Sequence, residues 1–420
     1  MSQLFFAALL TFALQAQTIY VDDNGSANGN GSSQSPFNNI PAAVALANTL
    51  GSRPTIRIQP GVYPIASTIR IEKSIELRGS NEMQVDSQGW PLRNVTAGTE
   101  AILVGTAALG NNPMIVFSKP GQVITNIDVR DLSFEAAPGA GSIMEFARVQ
   151  DFEVRNSIFV GSTQSLVPGA PGLQTFASTG TIRDNFMSGL LGGAFIHGGY
   201  PASPAEVIFE RNRVVRGRVG VFLVGTSDGI TDPGNFLSST VKNNDISDNN
   251  SGNNSAGLRI IIKGNEALPG YGSTGLSSST IQATVQNNRL VGNTTGISID
   301  AGFVTRLLPP FSSNTCDTRT FSGMLALNLR DNTLTGNTRP AVLSFTQLQV
   351  TLGLGQLARL QYLHNAEYRI EDRDYVLAGQ LLDHPATDPF LGGPCASDIA
   401  REPLVNALWI NGLLIPNTAP

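Results

Sequence analysis

Apolar residues come along most of this chain in short runs, broken by Gly, Asn and Ser, and nowhere keep a helical period for long. Where a run is clean it alternates, as in Ile297-Ser298-Ile299-Asp300, which predicts a strand with one face buried. One pattern recurs: apolar, any residue, Asx or Arg, Asn, any residue, apolar. It reads IRDNFM from Ile182, FERNRV from Phe209, VKNNDI from Val241, VQNNRL from Val285 and LRDNTL from Leu329, with weaker copies at Val129 and Val154. Successive starts lie 25, 28, 27, 32, 44 and 44 residues apart. Such a period marks a repeat architecture. The shorter spacings hold three short strands and three turns, which is one coil of a parallel β-helix, and are too short for a four-stranded propeller blade.

Stacked coils bring equivalent residues within about 4.8 Å of each other. An asparagine repeated at one turn carries a donor and an acceptor and bonds its copies above and below. Asn185, Asn212, Asn244, Asn288 and Asn332 form such a column, and Asn249, Asn293 and Asn337 a second. The strands after the asparagines align as Ala194–His197, Val221–Val224, Leu258–Ile261, Ile297–Asp300 and Ala341–Ser344. Alternation turns two columns outward: Phe195, Phe222, Arg259, Ser298, Val342, and His197, Val224, Ile261, Asp300, Ser344.

Composition narrows the class. Charged residues make up 14% of the chain and hydrophobic ones 41%, as suits a turn-rich all-β protein. A net charge of −5 argues against nucleic acid as a partner. The apolar run Leu4–Leu14 is too short to span a bilayer and reads as a secretory signal over residues 1–17, so the mature protein is expected outside the cell, without a membrane span. In that setting Cys316 and Cys395, both outside the repeat, are expected to form one disulfide. No His and Cys cluster has metal-ligand spacing.

The stretch SPFNNIPAAVALANTLGSRPTIRIQPGVYPIASTIRIEKSIELRGS resembles the start of secreted pectin-lyase-like right-handed β-helix proteins. The resemblance covers roughly residues 19–345 and implies a capping helix near Ile40–Leu50, a solenoid over 18–345, and a last strand and capping tail over 346–420. It also implies that the sheet bearing the two outward columns floors a carbohydrate groove. Function stays open, because the fold hosts lyases, hydrolases, epimerases and proteins without catalysis. The carboxylate sets of polygalacturonases and the Asp clusters that hold Ca²⁺ in pectate lyases are not evident.

The two longest spacings add insertions, 263–280 and 302–322, on one side of the groove. Tyr271, Arg306, Phe311 and His197 are expected to contact a polysaccharide there. Arg259, Lys263 and Asp300 are the candidate catalytic residues. β-Elimination from a uronide needs a base and a cation, for which Lys263 and Arg259 are four residues apart on one strand; Ca²⁺ enters only if the protein is a lyase. A hydrolase needs two facing carboxylates, and the outward columns offer only Asp300. The competing expectation is a non-catalytic structural or adhesin-like β-helix. A monomer is expected in either case.

Overall fold

The computed structural model describes residues 17–93, 98–139, 141–161, 170–199, 205–225, 235–252, 254–265, 279–306, 317–345, 360–374, 377, 408–411 and 413–414. Its strands form a right-handed parallel β-helix. The chain cycles through three sheets among the described residues: a long sheet of thirteen strands, a middle sheet of nine and a floor sheet of nine. One circuit reads Thr179–Arg183 in the long sheet, Phe186–Ser188 in the middle sheet and Gly192–His197 in the floor sheet. A helix, Ile40–Thr49, packs Ile40, Ala43, Val44 and Ala47 into the start of the solenoid. Asn39 caps it by accepting the Ala42 N–H at 2.9 Å, and Pro41 occupies its first turn, where no amide donor is needed. Among the described residues no helix is long and apolar enough to cross a membrane.

Inward side chains stack coil upon coil. Phe117 and Phe146, partners on neighbouring floor strands, stack with ring centroids 4.7 Å apart, and Phe152, on the long-sheet strand that follows, packs on Phe146 at 4.3 Å; all three are buried. Each such side chain contributes about 1.5–3 kcal/mol by leaving water, and the core is a continuous column of them.

Both asparagine columns are ladders. The backbone N–H and Nδ2 of each rung donate to Oδ1 of the next, from Asn185 to Asn212, Asn244, Asn288 and Asn332, at 2.8–3.3 Å. Ser157 N–H feeds the first rung at 3.0 Å. The last rung gives its donors to the carboxylate of Asp374, with Nδ2 at 2.7 Å. The second ladder runs from Asn249 to Asn293 to Asn337.

The left-handed backbone that sharpens the first turn does not belong to the ladder asparagine. It belongs to the residue before it: Asp184, Arg211, Asn243, Asn287 and Asp331, with φ between 50 and 59°. In each Asn-Asn pair the first residue therefore makes the bend and the second makes the ladder.

A further column links the turns to the floor sheet. Gly172, Gly193, Gly220, Gly257 and Gly296 stack one above the other. A Cβ on Gly220 would stand 2.4 Å from the carbonyl oxygen of Gly257, and one on Gly257 2.9 Å from that of Gly296. The missing side chains let the second ladder and Leu290 close against the backbone, since Asn293 Nδ2 lies 3.0 Å from that position on Gly257.

Residues 80–93, after the strand Ile75–Gly79, strap the outside of the middle sheet. Arg93 pairs with Glu135 at 2.9 Å, and Arg213 sits 5.3 Å from the Trp90 ring and 3.7 Å from Asp86. This strap covers one face of the solenoid and leaves the floor sheet as the face to consider for binding.

Toward the end, the two expected insertions are partly strand. Ala256–Asn265 pairs with Thr295–Arg306, and Asp317–Arg330 pairs with Leu360–Asp372, so Lys263 and Arg306 lie on strands and not in loops. Tyr271, Phe311, Cys316, Cys395 and residues 1–16 lie outside the described residues.

Candidate functional site

The floor sheet pairs its strands in the register expected from alternation. Phe195, Phe222, Arg259, Ser298 and Val342 are successive partners, and His197, Val224, Ile261, Asp300 and Ser344 are the next outward column. The first column is partly exposed. The second is covered: Val224, Ile261, His197 and Asp300 are all buried. His197, expected near the surface, stacks on Phe176 with centroids 4.4 Å apart and 19° between planes. Aromatic packing, and not solvent, is its environment.

Arg259 and Asp300 stand in different columns on neighbouring strands, yet they meet. Arg259 Nε donates to Asp300 Oδ2 at 2.7 Å, with 14% and 9% of their side-chain surfaces exposed. The diagonal between adjacent strands is within reach of a long side chain. The guanidinium also lies 5.4 Å from the centre of the Phe222 ring, which meets Phe195 edge-on at 5.0 Å. Phe195 folds back over Gly192: a Cβ there would lie 2.1 Å from its ring. The result is a cation held at fixed geometry beside two aromatic rings. A guanidinium carries five N–H donors and no acceptor, so Arg259 is suited to binding an anion rather than to removing a proton.

Lys263 follows a register shift between Ile262 and Lys263, which interrupts the alternation that would have set its direction from Arg259. Its backbone pairs with Phe303.

Downward in the coil stack the first column continues as Gln174, Glu145, Val116 and Arg70. Glu145 was missed in the sequence because its strand, Met144–Ala147, follows the weak copy at Val129, whose turn carries Asp131-Leu132 and no ladder asparagine. The available signal was alternation, with Glu145 between Met144 and Phe146, both buried. Burial pushes the Glu145 carboxyl above its usual range, and Arg70 offsets this only in part.

Two other charged regions explain themselves structurally. Along the long sheet, Arg130, Arg155, Arg183 and Arg211 interleave with Glu76, Asp128, Glu153 and Asp184 in one run of ion pairs, so this face is self-neutralising. Under the strap, a cavity of about 180 Å³ is lined by residues including Glu82, Glu100 and Asp131. Asp131 accepts the Met83 N–H and Glu100 accepts from Ser133 Oγ, which ties the strap to the coils.

Among the described residues no three His, Cys, Asp or Glu side chains converge so as to hold a metal ion. Among the described residues the carboxylates on the floor are Glu145, on an early coil, and Asp300, already bonded to Arg259. This donor set does not fit Ca²⁺, which takes about six to eight oxygen ligands.

The sequence matches no protein-family model and no curated protein. Solved structures similar to it include XylC in complex with xylose, at 9% identity and a TM-score of 0.41, covering 78% of this chain and 68% of that one. Pectin methylesterase PemA from Erwinia chrysanthemi is similar at 13% and 0.38, covering 74% and 89%. The mannuronan C-5 epimerase AlgE6 A-module of Azotobacter vinelandii is similar at 10% and 0.37, covering 80% and 84%. The likeness is one of fold, the right-handed parallel β-helix already given by the three parallel sheets.

Proposed function

We propose that the outward face of the floor sheet binds an acidic polysaccharide laid along the solenoid axis. The observation that carries this reading is the succession Phe195, Phe222, Arg259 in one partly exposed column. Aromatic rings offer apolar faces to sugar rings, and a guanidinium recognises a uronate carboxylate. Asp300 and Phe222 hold Arg259 in place before a ligand arrives, which reduces the ordering cost of binding.

The reaction that this arrangement supports is β-elimination. Arg259 offsets the charge that develops on the uronate as its α-proton leaves, Lys263 takes the proton, the bond to the leaving sugar oxygen breaks as the double bond forms, and that oxygen takes a proton from water. Tyr271, Arg306 and Phe311 are proposed to extend the contact to the polymer, and the apolar run Leu4–Leu14 to direct export. The second reading, binding without turnover in a structural or adhesive protein, is favoured by the apolar side chains spread over both columns, Phe195, Phe222, Val224 and Ile261.

A panel of uronide polymers followed at the absorbance of unsaturated products tests the first reading, with R259A and K263A as controls. Product formation by the wild type that both substitutions abolish is the expected result. Binding without product from any polymer sinks the lyase reading and leaves the adhesive one; absence of binding sinks both.

A further inference from the structure

Resting on the polysaccharide reading above, we infer that the floor selects a glycan of mixed charge, with an acidic sugar at Arg259 and neutral sugars over Gln174 and Glu145. Within the column, which runs on past Glu145 to Val116 and Arg70, the span from Glu145 to Arg259 covers four strand steps, Glu145 to Gln174 to Phe195 to Phe222 to Arg259. That is on the order of 19 Å along the axis, so both ends touch one extended oligosaccharide at different residues.

The two ends are opposite in character. Arg259 is a cation fixed by its ion pair. Glu145 is half-buried, faces the same side, and enters no hydrogen bond or ion pair among the described residues. Its neighbours across the strands are Val116 on one side and Gln174 on the other, neither charged; Arg70, one strand beyond Val116, is the charged group acting on it. An ionised carboxylate beside an amide accepts and exchanges hydrogen bonds with sugar hydroxyls. The same carboxylate repels a uronate, because like charges at an interface without solvent between them are strongly disfavoured. A polymer acidic at every residue therefore satisfies Arg259 and violates Glu145, whereas one with neutral residues between its acids satisfies both.

Selection then depends on proton binding. Burial raises the Glu145 carboxyl, so as pH falls it takes up a proton before an ordinary carboxyl does. Protonated, it donates to a uronate oxygen and the discrimination collapses.

Calorimetric titration of the full chain with three oligosaccharides of equal length tests this: fully uronic, mixed and neutral. At about pH 8 the mixed oligomer is expected to bind the wild type at least about tenfold tighter than the fully uronic one. E145Q should erase that ratio by strengthening the fully uronic oligomer, leaving the mixed one within about twofold. Lowering the pH toward about 4.5 should shrink the ratio in the wild type and leave E145Q unchanged. A ratio that is the same in E145Q and wild type, or a wild type that prefers the fully uronic oligomer, overturns the inference while the polysaccharide reading stands. Loss of all binding in R259Q beside an unaltered ratio in E145Q has the same meaning. If no oligomer binds any variant, the polysaccharide reading falls and the inference with it.

Discussion

A ladder asparagine does two jobs at once, and that duality sets what its replacement costs. Asn244 is buried, accepts two donors from Asn212 through Oδ1, and gives its own donors to Asn288 and the Phe209 carbonyl. Asn244→Ala strands the two Asn212 donors in the core, with an expected loss of about 3 kcal/mol in urea unfolding. Asn244→Asp keeps the acceptor, loses the Nδ2 donor and faces two oxygens, so it should be no milder. The Arg259–Asp300 pair makes a second case: Asp300→Ala leaves a largely buried guanidinium without its carboxylate and should cost about 3 kcal/mol. A double-mutant cycle with Arg259→Ala should recover a large part of that loss, because removing both charges leaves nothing unpaired. The ladder was legible in the sequence, since it repeats at one offset. The ion pair was not, because comparison column by column places Asp300 beside Ile261 and Ser344 and passes over the diagonal to Arg259.

Among the elements, the floor strands show what spacing reveals and what it hides. Their register followed from the asparagine offsets alone, since a side-chain period of two leaves little freedom once one face is buried. The glycines at the second position of those strands were equally visible, but their role needs the stacked backbone, where a Cβ meets the neighbouring carbonyl. Gly220→Ala would bring its Cβ to 2.2 Å from Ile246 and 2.4 Å from the Gly257 oxygen, with an expected cost of about 2–3 kcal/mol. Gly192→Ala instead meets the movable ring of Phe195. It should weaken oligosaccharide binding while the melting temperature shifts by about 2 °C or less, a contrast that calorimetry on the two variants would check. The extension of strands to Asn265 and Arg306 escaped the sequence reading because Gly-rich and Pro-bearing stretches there outweigh the local alternation.

For the whole molecule, the ion pairs on the long sheet and the carboxyl groups at buried turns give stability a defined pH dependence. Burial alone would raise Glu76, but hydrogen bonds from Arg130 and Thr55 hold it below its usual range; Asp184 is lowered the same way by Arg211 and Arg183. Their contribution is present above the ordinary carboxylate range and is lost as pH falls through their folded values. Asp128, Asp131 and Glu145 are raised, chiefly by burial. The folded state holds their protons more tightly than the unfolded chain, so stability increases as pH falls through the raised values and levels off below the ordinary range. The urea midpoint should therefore rise from neutral into mildly acidic pH and then fall. Asp131→Asn, which keeps an acceptor for the Met83 N–H and suits the left-handed backbone at φ 57°, should raise the midpoint at neutral pH and flatten the rise.

The carboxylate of Asp374 gives the first ladder a grammar. Every rung before it both receives and passes on, so a coil inserted between two rungs reads the same to its neighbours as the coil it displaces. Asp374 receives and has nothing to pass on, which closes the sentence. Coil number is thus a free quantity inside the solenoid and fixed only at its end. A chain carrying a second copy of residues 285–328 should fold into a longer protein with one more rung and the same terminal carboxylate.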